Sequence, residues 1–351
     1  MRVAIQSFKN TGHAGRGVGV YGEQLIKYLK EIEDVEVIEF SDINEIHKKN
    51  VDVVHFLVFD LFQNTLPSNI SIPSVVTVHD VTPLVFKKEY PSGIKGALNL
   101  FVQKRALKKI DKIITISNNS KKDINKHLGI DNKKIKVIYS GFGEQFKIAN
   151  DRKEQKIVRD KYKLPDRYAF YSGNVNWNKN IVGMTDACID ADLDLVIVGK
   201  SFEQKENINH PEMRSYKQFL EKYENHPQVH ILGFVPDGDL VAILNQATVA
   251  LFVSFYEGFG FPILEAQACG VPVISAKTSS MPEIGGSGAL YIDPKDIKEI
   301  SCKITTVLND EKLRNDLIDE GLLNIKRFSW KKTAEETYQL YKDLLKNERT
   351  V

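Results

Sequence analysis

The sequence has little cysteine, no long apolar run and no segment of low complexity. Its three cysteines, Cys188, Cys269 and Cys302, lie far apart without CxxC spacing. That spacing argues against a disulfide framework or a zinc site and predicts three ordinary buried thiols. No window reaches the roughly 18 apolar residues of a membrane span, and the run before Lys9 is too short for the core of a signal peptide. We therefore expect a cytoplasmic globular protein.

Charge is unevenly divided along the 351 residues, a length that suits two domains better than one core. Residues 1–150 contain 22 Lys and Arg against 16 Asp and Glu, whereas residues 151–351 contain 26 against 30. The basic half is the one expected to meet an anionic partner. Because no nucleic-acid motif or interleaved aromatics accompany the basic residues, nucleic acid is not expected as that partner.

Short β-branched runs alternate with amphipathic segments, which is typical of βα units on a parallel sheet. Between two such series, the charged stretch 147–165 has no strand pattern and marks a boundary. We predict an α/β protein with a first domain over residues 1–160, a second over 161–330 and a terminal helix over 331–351. The candidate strands are VAIQSF, VEVIEF, VDVVHFLVF, PSVVTVHD, KIITIS, KIKVIYS, YAFYSG, LDLVIVG, VHILGF, VALFVS, VPVISA and ALYID.

Two carboxylates follow the apolar run VALFVS in the segment SFYEGFGFPILEAQACGVPVI. The run predicts a buried strand, EGFGFP a Gly-rich loop, and ILEAQACG a helix opened by Pro262 and ended near Gly270. Glu257 then lies in the loop and Glu265 in the first helical turn, where both can face one ligand. Acids there can accept hydrogen bonds from sugar hydroxyls, while backbone amides and the helix dipole face a diphosphate. A solvated loop acid beside a favourable first-turn acid explains the same two residues equally well.

The pattern S-x-x-E-G-F-G-x-P-x-L-E-A-x-A-x-G-x-P-V-I resembles the E-x7-E signature of the retaining glycosyltransferases of family 4. YSGNVNWNKN is similar to the family's Lys-bearing loop, HILGFVPDGDL to its base-binding loop, SSMPEIGGSGALYIDPKD to the segment after the signature, and FSWKKTAEETYQLY to its terminal helix. HDVTPLVFKKEYP and GRGVGVY are similar to the mannosyltransferase-like branch. The resemblance implies a GT-B fold: two Rossmann-like domains facing across a cleft, with the terminal helix crossing back to the first.

The resemblance also implies roles for individual residues. Glu257 would orient the transferred sugar and Glu265 the ribose, with base contacts from the backbone near Val235. Lys179 would neutralise the leaving diphosphate, although a solvated loop lysine is the simpler interpretation. The predicted catalytic residues are His79, Lys179 and Glu257, and the predicted substrate-binding residues are Gly17, Gly19, Asp80, Ser117, Asn174, Val235, Gly258, Phe259, Gly260, Phe261 and Glu265.

Several of these predictions concern the first domain. His79 and Asp80 end the run VVTVHD and Ser117 ends KIITIS, so all three are expected at carboxyl ends of strands. A lone histidine there is more often structural. The loop at Gly17 is expected to close over the diphosphate.

In the second domain, this sequence has Asn174 where the family often has Arg. The second positive charge that would face the phosphates is therefore assigned to Arg16.

A dinucleotide fingerprint is the main rival. Gly17, Gly19 and Gly22 fit GxGxxG, and Glu39 lies where the ribose acid of that fold is found. However, eleven residues separate Ile5 from Gly17, whereas the fingerprint requires the strand to enter the glycine turn almost at once. The YxxxK at 338–342 falls in the predicted terminal helix and is attributed to chance.

No metal and no cofactor are expected. DADLD (190–194) and DGD (237–239) offer paired aspartates, but the first precedes a strand and Asp237 or Asp239 can cap a helix. No His cluster has the spacing of metal ligands.

The basic run KRALKKIDK (104–112) lies near Leu98 and Phe101. Such a run is usually a solvated face, but it would also suit anionic lipid headgroups and a lipid-diphosphate acceptor.

The expected function is hexosyl transfer with retention, from a nucleotide diphosphate sugar to a glycan or lipid-linked acceptor, in bacterial surface polysaccharide synthesis. The HDxxP stretch at His79 favours mannose and hence GDP-mannose. A nucleotide-sugar-binding partner without catalysis stays open because Asn174 replaces the family's Arg. A nucleotide-sugar 2-epimerase shares the fold, but its acid and base groups cannot be assigned, and an NAD-dependent oxidoreductase would need the fingerprint above.

Overall fold

The computed structural model describes residues 1–7, 17–46, 49–203, 208 and 213–348. Arg16, predicted as a phosphate contact, lies outside these residues. The chain divides into a first unit, Met1–Gly141 with Phe328–Val351, and a second unit, Phe142–Arg327. No helix of the described residues combines the length and apolar character needed to cross a membrane.

Six parallel strands form the sheet of the first unit in the order β2-β1-β3-β4-β5-β6. Its elements are β1 (Arg2–Gln6), α1 (Gly17–Lys30), β2 (Glu36–Phe40), β3 (Val53–Phe56), β4 (Ser74–Thr77), α2 (Thr82–Val85), α3 (Gly93–Lys109), β5 (Lys112–Thr115), α4 (Asn118–Asp123), β6 (Ile135–Val137) and, at the other end of the chain, α13 (Trp330–Glu348). Every residue of β3 and β4 is buried, as expected for a parallel sheet covered on both faces.

The second unit has its own parallel sheet in the order β12-β11-β10-β7-β8-β9. Its elements are α5 (Arg152–Tyr162), β7 (Tyr168–Ser172), α6 (Ile181–Asp190), β8 (Asp194–Val198), α7 (Arg214–Tyr223), β9 (Val229–Gly233), α8 (Asp237–Asn245), β10 (Val249–Phe252), α9 (Phe261–Ala268), β11 (Val273–Ala276), α10 (Met281–Gly285), β12 (Ala289–Ile292), α11 (Ile297–Asn309) and α12 (Glu311–Asn324). The sheet reverses its order between β7 and β10, which is where ligands of such sheets usually bind.

All twelve predicted strands are present, which confirms the α/β class. The unit boundary differs from the predicted one at residue 160, because α5 packs on α8 in the second unit. Arg159 on α5 donates to Gln246 at 3.1 Å, and Lys161 pairs with Asp239 at 2.6 Å. A charged, strandless segment therefore proves to be an amphipathic helix with its own partner, not a linker.

The terminal helix α13 belongs to the first unit. The Tyr341 hydroxyl lies 2.7 Å from His55 Nδ1, and Thr333 Oγ1 donates to the Tyr139 carbonyl at 2.7 Å. Burial lowers the pKa of His55 to about 3, with a smaller contribution from His79, so its imidazole is neutral. His55 Nε2 contacts the Thr77 hydroxyl at 2.9 Å, so a buried hydrogen-bonded chain links α13 to β4.

Two smaller predictions were wrong. Cys302 is exposed on α11, unlike the buried Cys188 and Cys269. Neither Asp237 nor Asp239 caps α8: both lie within its first turn, and the helix is preceded by Pro236 without a side-chain cap. Asp239 instead accepts hydrogen bonds from Lys161 and from the Tyr162 hydroxyl, because α5 lies against this end of α8.

Candidate active site

Lys179 and Glu257 form an ion pair where the sheet of the second unit reverses its order. Lys179 ends a 3-10 helix, Trp177–Lys179, that follows β7, and Glu257 lies in the loop after β10. The Lys179 ammonium is 2.7 Å and 2.8 Å from the two Glu257 carboxylate oxygens. Both side chains are about one-fifth exposed, at 19% and 18%. Since β7 and β10 are neighbours, the topology alone brings together two residues predicted from separate motifs.

Two asparagines hold the Lys179 loop against the Glu257 loop. Asn178 Nδ2 donates to the Tyr256 carbonyl at 2.7 Å, and the Phe255 amide donates to the Asn178 carbonyl at 2.7 Å. Asn180, with φ of 54°, donates to the Val253 carbonyl at 3.1 Å. These contacts fix the two loops to each other, so the ion pair is built into a supported framework.

Two serines of the segment before α10 support the backbone around Glu257. The Glu257 amide donates to the Ser279 hydroxyl at 2.9 Å. The Ser280 hydroxyl lies 2.9 Å from the Glu257 carbonyl and 2.6 Å from the Phe259 carbonyl. Neither serine was predicted to have a role, although both lie in the segment that resembles the family. The two serines directly precede the sequence MPE (281–283), whose proline indicates the start of a helix, and this position could have pointed to them.

Helix α9 begins immediately after this loop. Gly260 precedes it with φ of 125°, which other residues seldom adopt, and no side chain caps the helix. The positive end of the helix dipole therefore lies beside Gly258 and Phe259, where it favours an anion. The Phe259 and Phe261 rings pack 4.9 Å apart between centroids. The helix ends at Ala268, slightly before the predicted end near Gly270.

Glu265 lies deeper in α9 than predicted. It is the fifth residue of Phe261–Ala268, so the expected position in the first turn was wrong, because the helix begins before the apolar run ILEAQA. The side chain is half-buried. Burial, with a smaller contribution from the nearby charge of Asp237, raises the pKa of Glu265 to about 7. The carboxyl group is thus close to half-ionised at neutral pH.

The backbone near Val235 lies between β9 and α8, and Asp237 in the first turn of α8 is near enough to Glu265 to raise its pKa. Glu203 supports this loop, since its carboxylate accepts from the Phe234 amide at 2.7 Å. Gly233 has φ of 66° and packs against Glu203 too closely to accommodate a side chain. Sequence analysis missed Glu203, which lies far from the motif. Asn174 is exposed, and its side-chain oxygen accepts from the Asn176 amide at 3.2 Å.

In the first unit, His79 follows β4 with its ring at a right angle to Tyr21 of α1, 4.8 Å between centroids. His79 Nε2 is 3.2 Å from the Leu57 carbonyl. Burial lowers the pKa of His79, and the Leu57 contact and Asp80 partly offset the effect. The imidazole is therefore neutral at pH 7. Because a carbonyl only accepts, Nε2 carries the proton and Nδ1 is left as an acceptor.

The other predicted first-unit residues have structural partners. Asp80 accepts from the Thr82 amide at 2.8 Å and so shapes the turn into α2. Ser117 is fully buried and caps α4 through the Ser120 amide at 3.1 Å. Gly17 does not lie in a loop as expected: it is the first residue of α1, and Gly19 is buried on that helix.

The rival dinucleotide fingerprint finds no support in the described residues. Gly17, Gly19 and Gly22 all lie within α1, whereas the fingerprint needs a glycine turn between strand and helix. The Glu39 carboxylate forms an ion pair with the Lys30 ammonium at 2.8 Å, so it already has a partner other than a ribose. The described residues also contain no group of three or more His, Cys, Asp or Glu side chains placed to hold a metal ion.

Comparison with known proteins identifies the family. The model of "Glycosyl transferases group 1" matches residues 151–323, and that of "Glycosyltransferase Family 4" matches residues 38–145. The chain belongs to family 4 of the glycosyltransferases. The first match contains Lys179, Glu257 and Glu265, and the second contains His79, so both halves of the predicted site fall within matched segments.

This glycosyltransferase has mannosyltransferases among its relatives. The serotype-specific mannosyltransferase WbdA of Escherichia coli is 26% identical over 84% of this chain and 37% of its own length. The O-antigen chain mannosyltransferase B of Escherichia coli is 34% identical over 53% of this chain and 48% of its own. This chain therefore spans less than half the length of either relative.

Solved structures show that the fold is GT-B. Sucrose-phosphate synthase of Thermosynechococcus elongatus matches with a TM-score of 0.77 at 18% identity, over 99% of this chain and 100% of that one. Anabaena HepE, whose structure holds UDP and glucose, matches with a TM-score of 0.75 at 17% identity, over 98% and 100%. The GT-B architecture implied by the sequence is thus confirmed.

Proposed function

We propose that this glycosyltransferase moves a hexose, with mannose favoured, from a nucleotide diphosphate donor to a hydroxyl of a glycan or lipid-linked acceptor, in surface polysaccharide synthesis. The donor proposed is GDP-mannose. The observation that carries the proposal is the Lys179–Glu257 pair beside the N-terminus of α9, with Glu265 farther along the same helix. WbdA, mannosyltransferase B and the UDP-bound HepE support the donor class. Peripheral contact with a membrane that carries the acceptor is part of the proposal.

Lys179 is suited to the leaving diphosphate. An ammonium has three N–H donors, and the two Glu257 oxygens account for two of them. The third can bind a phosphate oxygen while Glu257 remains in place. As the bond from the sugar C1 to the phosphate oxygen breaks, negative charge grows on the phosphate and is met by Lys179 and the α9 dipole. Metal independence follows as part of the proposal, because these groups supply the positive charge.

Glu257 and Glu265 are assigned different partners. Glu257, fixed by Lys179 and by Ser279, accepts hydrogen bonds from the sugar, and Glu265 accepts from the ribose. The new bond from C1 to the acceptor oxygen forms on the same face, and the acceptor proton passes to the leaving phosphate oxygen. No side chain then needs to act as a covalent nucleophile. His79, through Nδ1, accepts from a sugar hydroxyl, and the backbone near Val235 contacts the base.

Single substitutions separate these roles. Glu265→Ala should weaken binding of the bare nucleoside diphosphate, whereas Glu257→Ala should leave that binding intact and reduce transfer by about a hundredfold or more. Glu320→Ala, at an exposed position of α12, is the control and should change neither quantity. Calorimetry with GDP, UDP, ADP and CDP measures binding, and NMR of the anomeric proton in the product reports retention. Normal turnover by both site variants would refute the assignment.

The rival function is a nucleotide-sugar-binding partner that does not catalyse transfer. Both functions predict binding of the nucleoside diphosphate, so binding cannot separate them. Product formation by the purified chain alone, with donor and acceptor supplied, separates them directly. His79→Ala is a second check, because a variant with full kcat would remove His79 from the site.

A further inference from the structure

Helix α3 carries large apolar side chains on its outer surface. The exposed fractions are 93% for Ile94, 63% for Leu98, 53% for Phe101 and 40% for Val102. These four are a substantial part of the ten large apolar side chains that are exposed among the described residues. Their spacing of i, i+4, i+7 and i+8 places them on one stripe of the helix. Contiguous exposed apolar surface bordered by polar residues is typical of interaction sites.

The opposite side of α3 is anchored to the loop after β3. Asn99 Nδ2 donates to the Phe62 carbonyl at 2.7 Å. The side-chain oxygen Oε1 of the buried Gln103 accepts from the amides of Thr65 at 3.1 Å and Leu66 at 3.0 Å. Because these contacts fix the rotation of the helix, the apolar stripe cannot turn inward without breaking them.

The rest of the exposed face is cationic. The segment of α3 contains five basic residues and no acidic residue: Lys95, Lys104, Arg105, Lys108 and Lys109. The Arg105 guanidinium lies 3.9 Å above the centre of the Phe101 ring, where the apolar and basic parts of the face meet. Four of the cations lie beyond Phe101, toward the C-terminal end of the helix.

Positive charge continues beside the helix. The Lys104 ammonium donates to the His127 carbonyl at 3.0 Å. The pKa of His127 is lowered mainly by burial; Asp123 raises it, and Lys126, Lys87 and Lys104 lower it further. Lys87, Lys104 and Lys126 therefore all lie near His127.

We propose that the exposed face of α3 docks on an anionic lipid bilayer. Ile94, Leu98 and Phe101 insert at the boundary between headgroups and acyl chains, and Arg105 and Lys108 bind lipid phosphates. Charge decides against self-association, since a twofold contact would oppose five cations to five like charges. The surface would bring the transferase to a lipid-linked acceptor, but docking itself does not depend on the proposed reaction.

Co-sedimentation with vesicles tests this surface without donor or acceptor. The full chain should partition onto vesicles of phosphatidylcholine with phosphatidylglycerol at least roughly tenfold better than onto phosphatidylcholine alone, at about 0.1 M salt, and lose binding at about 0.5 M. The double variant Leu98→Ser with Phe101→Ser should lose about tenfold or more. Arg105→Gln with Lys108→Gln should lose roughly tenfold on anionic vesicles only.

Two further variants keep the result interpretable. Ile157→Ser, which removes an apolar side chain that is 67% exposed on α5, is the matched control and should bind as the parent does. Phe101→Trp should retain binding and shift its emission to the blue on anionic vesicles. Equal retention on neutral and anionic vesicles, or no effect of the serine variants, would overturn the proposal. So would a dimer in solution that the serine variants dissociate. Lost transfer with intact docking would instead concern the proposed function.

Discussion

Glu265 should make the protein less stable as the pH rises through neutrality. Its pKa is raised from 4.5 to about 7, first by burial and then by Asp237. Below about pH 4.5 both the folded and unfolded states bind the proton, so the group contributes nothing to the free energy of unfolding. Between the two values only the folded state keeps the proton, and stability falls with rising pH. Above about pH 7 both states are ionised and the full cost is present.

The cost follows from the size of the shift. A shift from 4.5 to about 7 corresponds to about 3 kcal/mol. Because the side chain is half-buried and partly screened by solvent, we expect about 1 to 3 kcal/mol. Glutamine has nearly the same shape and cannot ionise, so Glu265→Gln should remove the cost. At about pH 8 its Tm should exceed that of the parent by roughly 2 to 10 °C, and at about pH 5 by little.

Thermal melts of parent and variant at several pH values measure this difference. Glu320→Gln, exposed on α12, is the control and should show no difference that grows with pH. Donor binding should show the opposite dependence: if the carboxylate accepts from the ribose, nucleoside diphosphate affinity should rise through about pH 7 in the parent relative to Glu265→Gln. A Tm difference that is constant from pH 5 to pH 8 would refute the assignment of a raised pKa to Glu265.

Two other substitutions test one structural contact in each unit: the His55–Tyr341 hydrogen bond in the first and the backbone turn at Gly260 in the second. Tyr341→Phe leaves the buried His55 Nδ1 without its partner at 2.7 Å, so it should lower the free energy of unfolding by about 1 to 3 kcal/mol and lower the Tm. Tyr338→Phe, at an exposed hydroxyl, is the control and should change the Tm little. Equal losses of Tm in the two variants would contradict the role of burial. Gly260→Ala forces a side chain into φ of 125° and to 3.1 Å from a neighbouring methyl, so it should cost about 1 to 3 kcal/mol and weaken binding of the nucleoside diphosphate in calorimetry. Gly238→Ala, where a methyl group meets nothing within 4 Å, should be near neutral; a Gly260→Ala protein with unchanged binding would show that the amides at α9 do not contact the donor.

The sequence predicted features that depend on local pattern. All twelve strands were found, because most of them are buried and therefore appear in the sequence as short apolar runs between turn residues. The segment containing Glu257 and Glu265 identified the family because its loop, its helix start and its two acids are adjacent in the chain. The start of α9 was off by one residue, which moves Glu265 just past the first turn, because the exact end of a helix leaves little trace in composition.

Contacts between residues far apart in the chain were decided by the tertiary structure. Lys179 and Glu257 meet because β7 and β10 are neighbours, and the strand order cannot be read from either motif. The segment at residue 160 appeared to be a linker because its partner, α8, is distant in sequence. Burial likewise set the pKa of Glu265, and the anchoring of Gln103 set which side of α3 is exposed. Sequence determined the elements and the family, whereas packing determined which side chains meet and how much water reaches them.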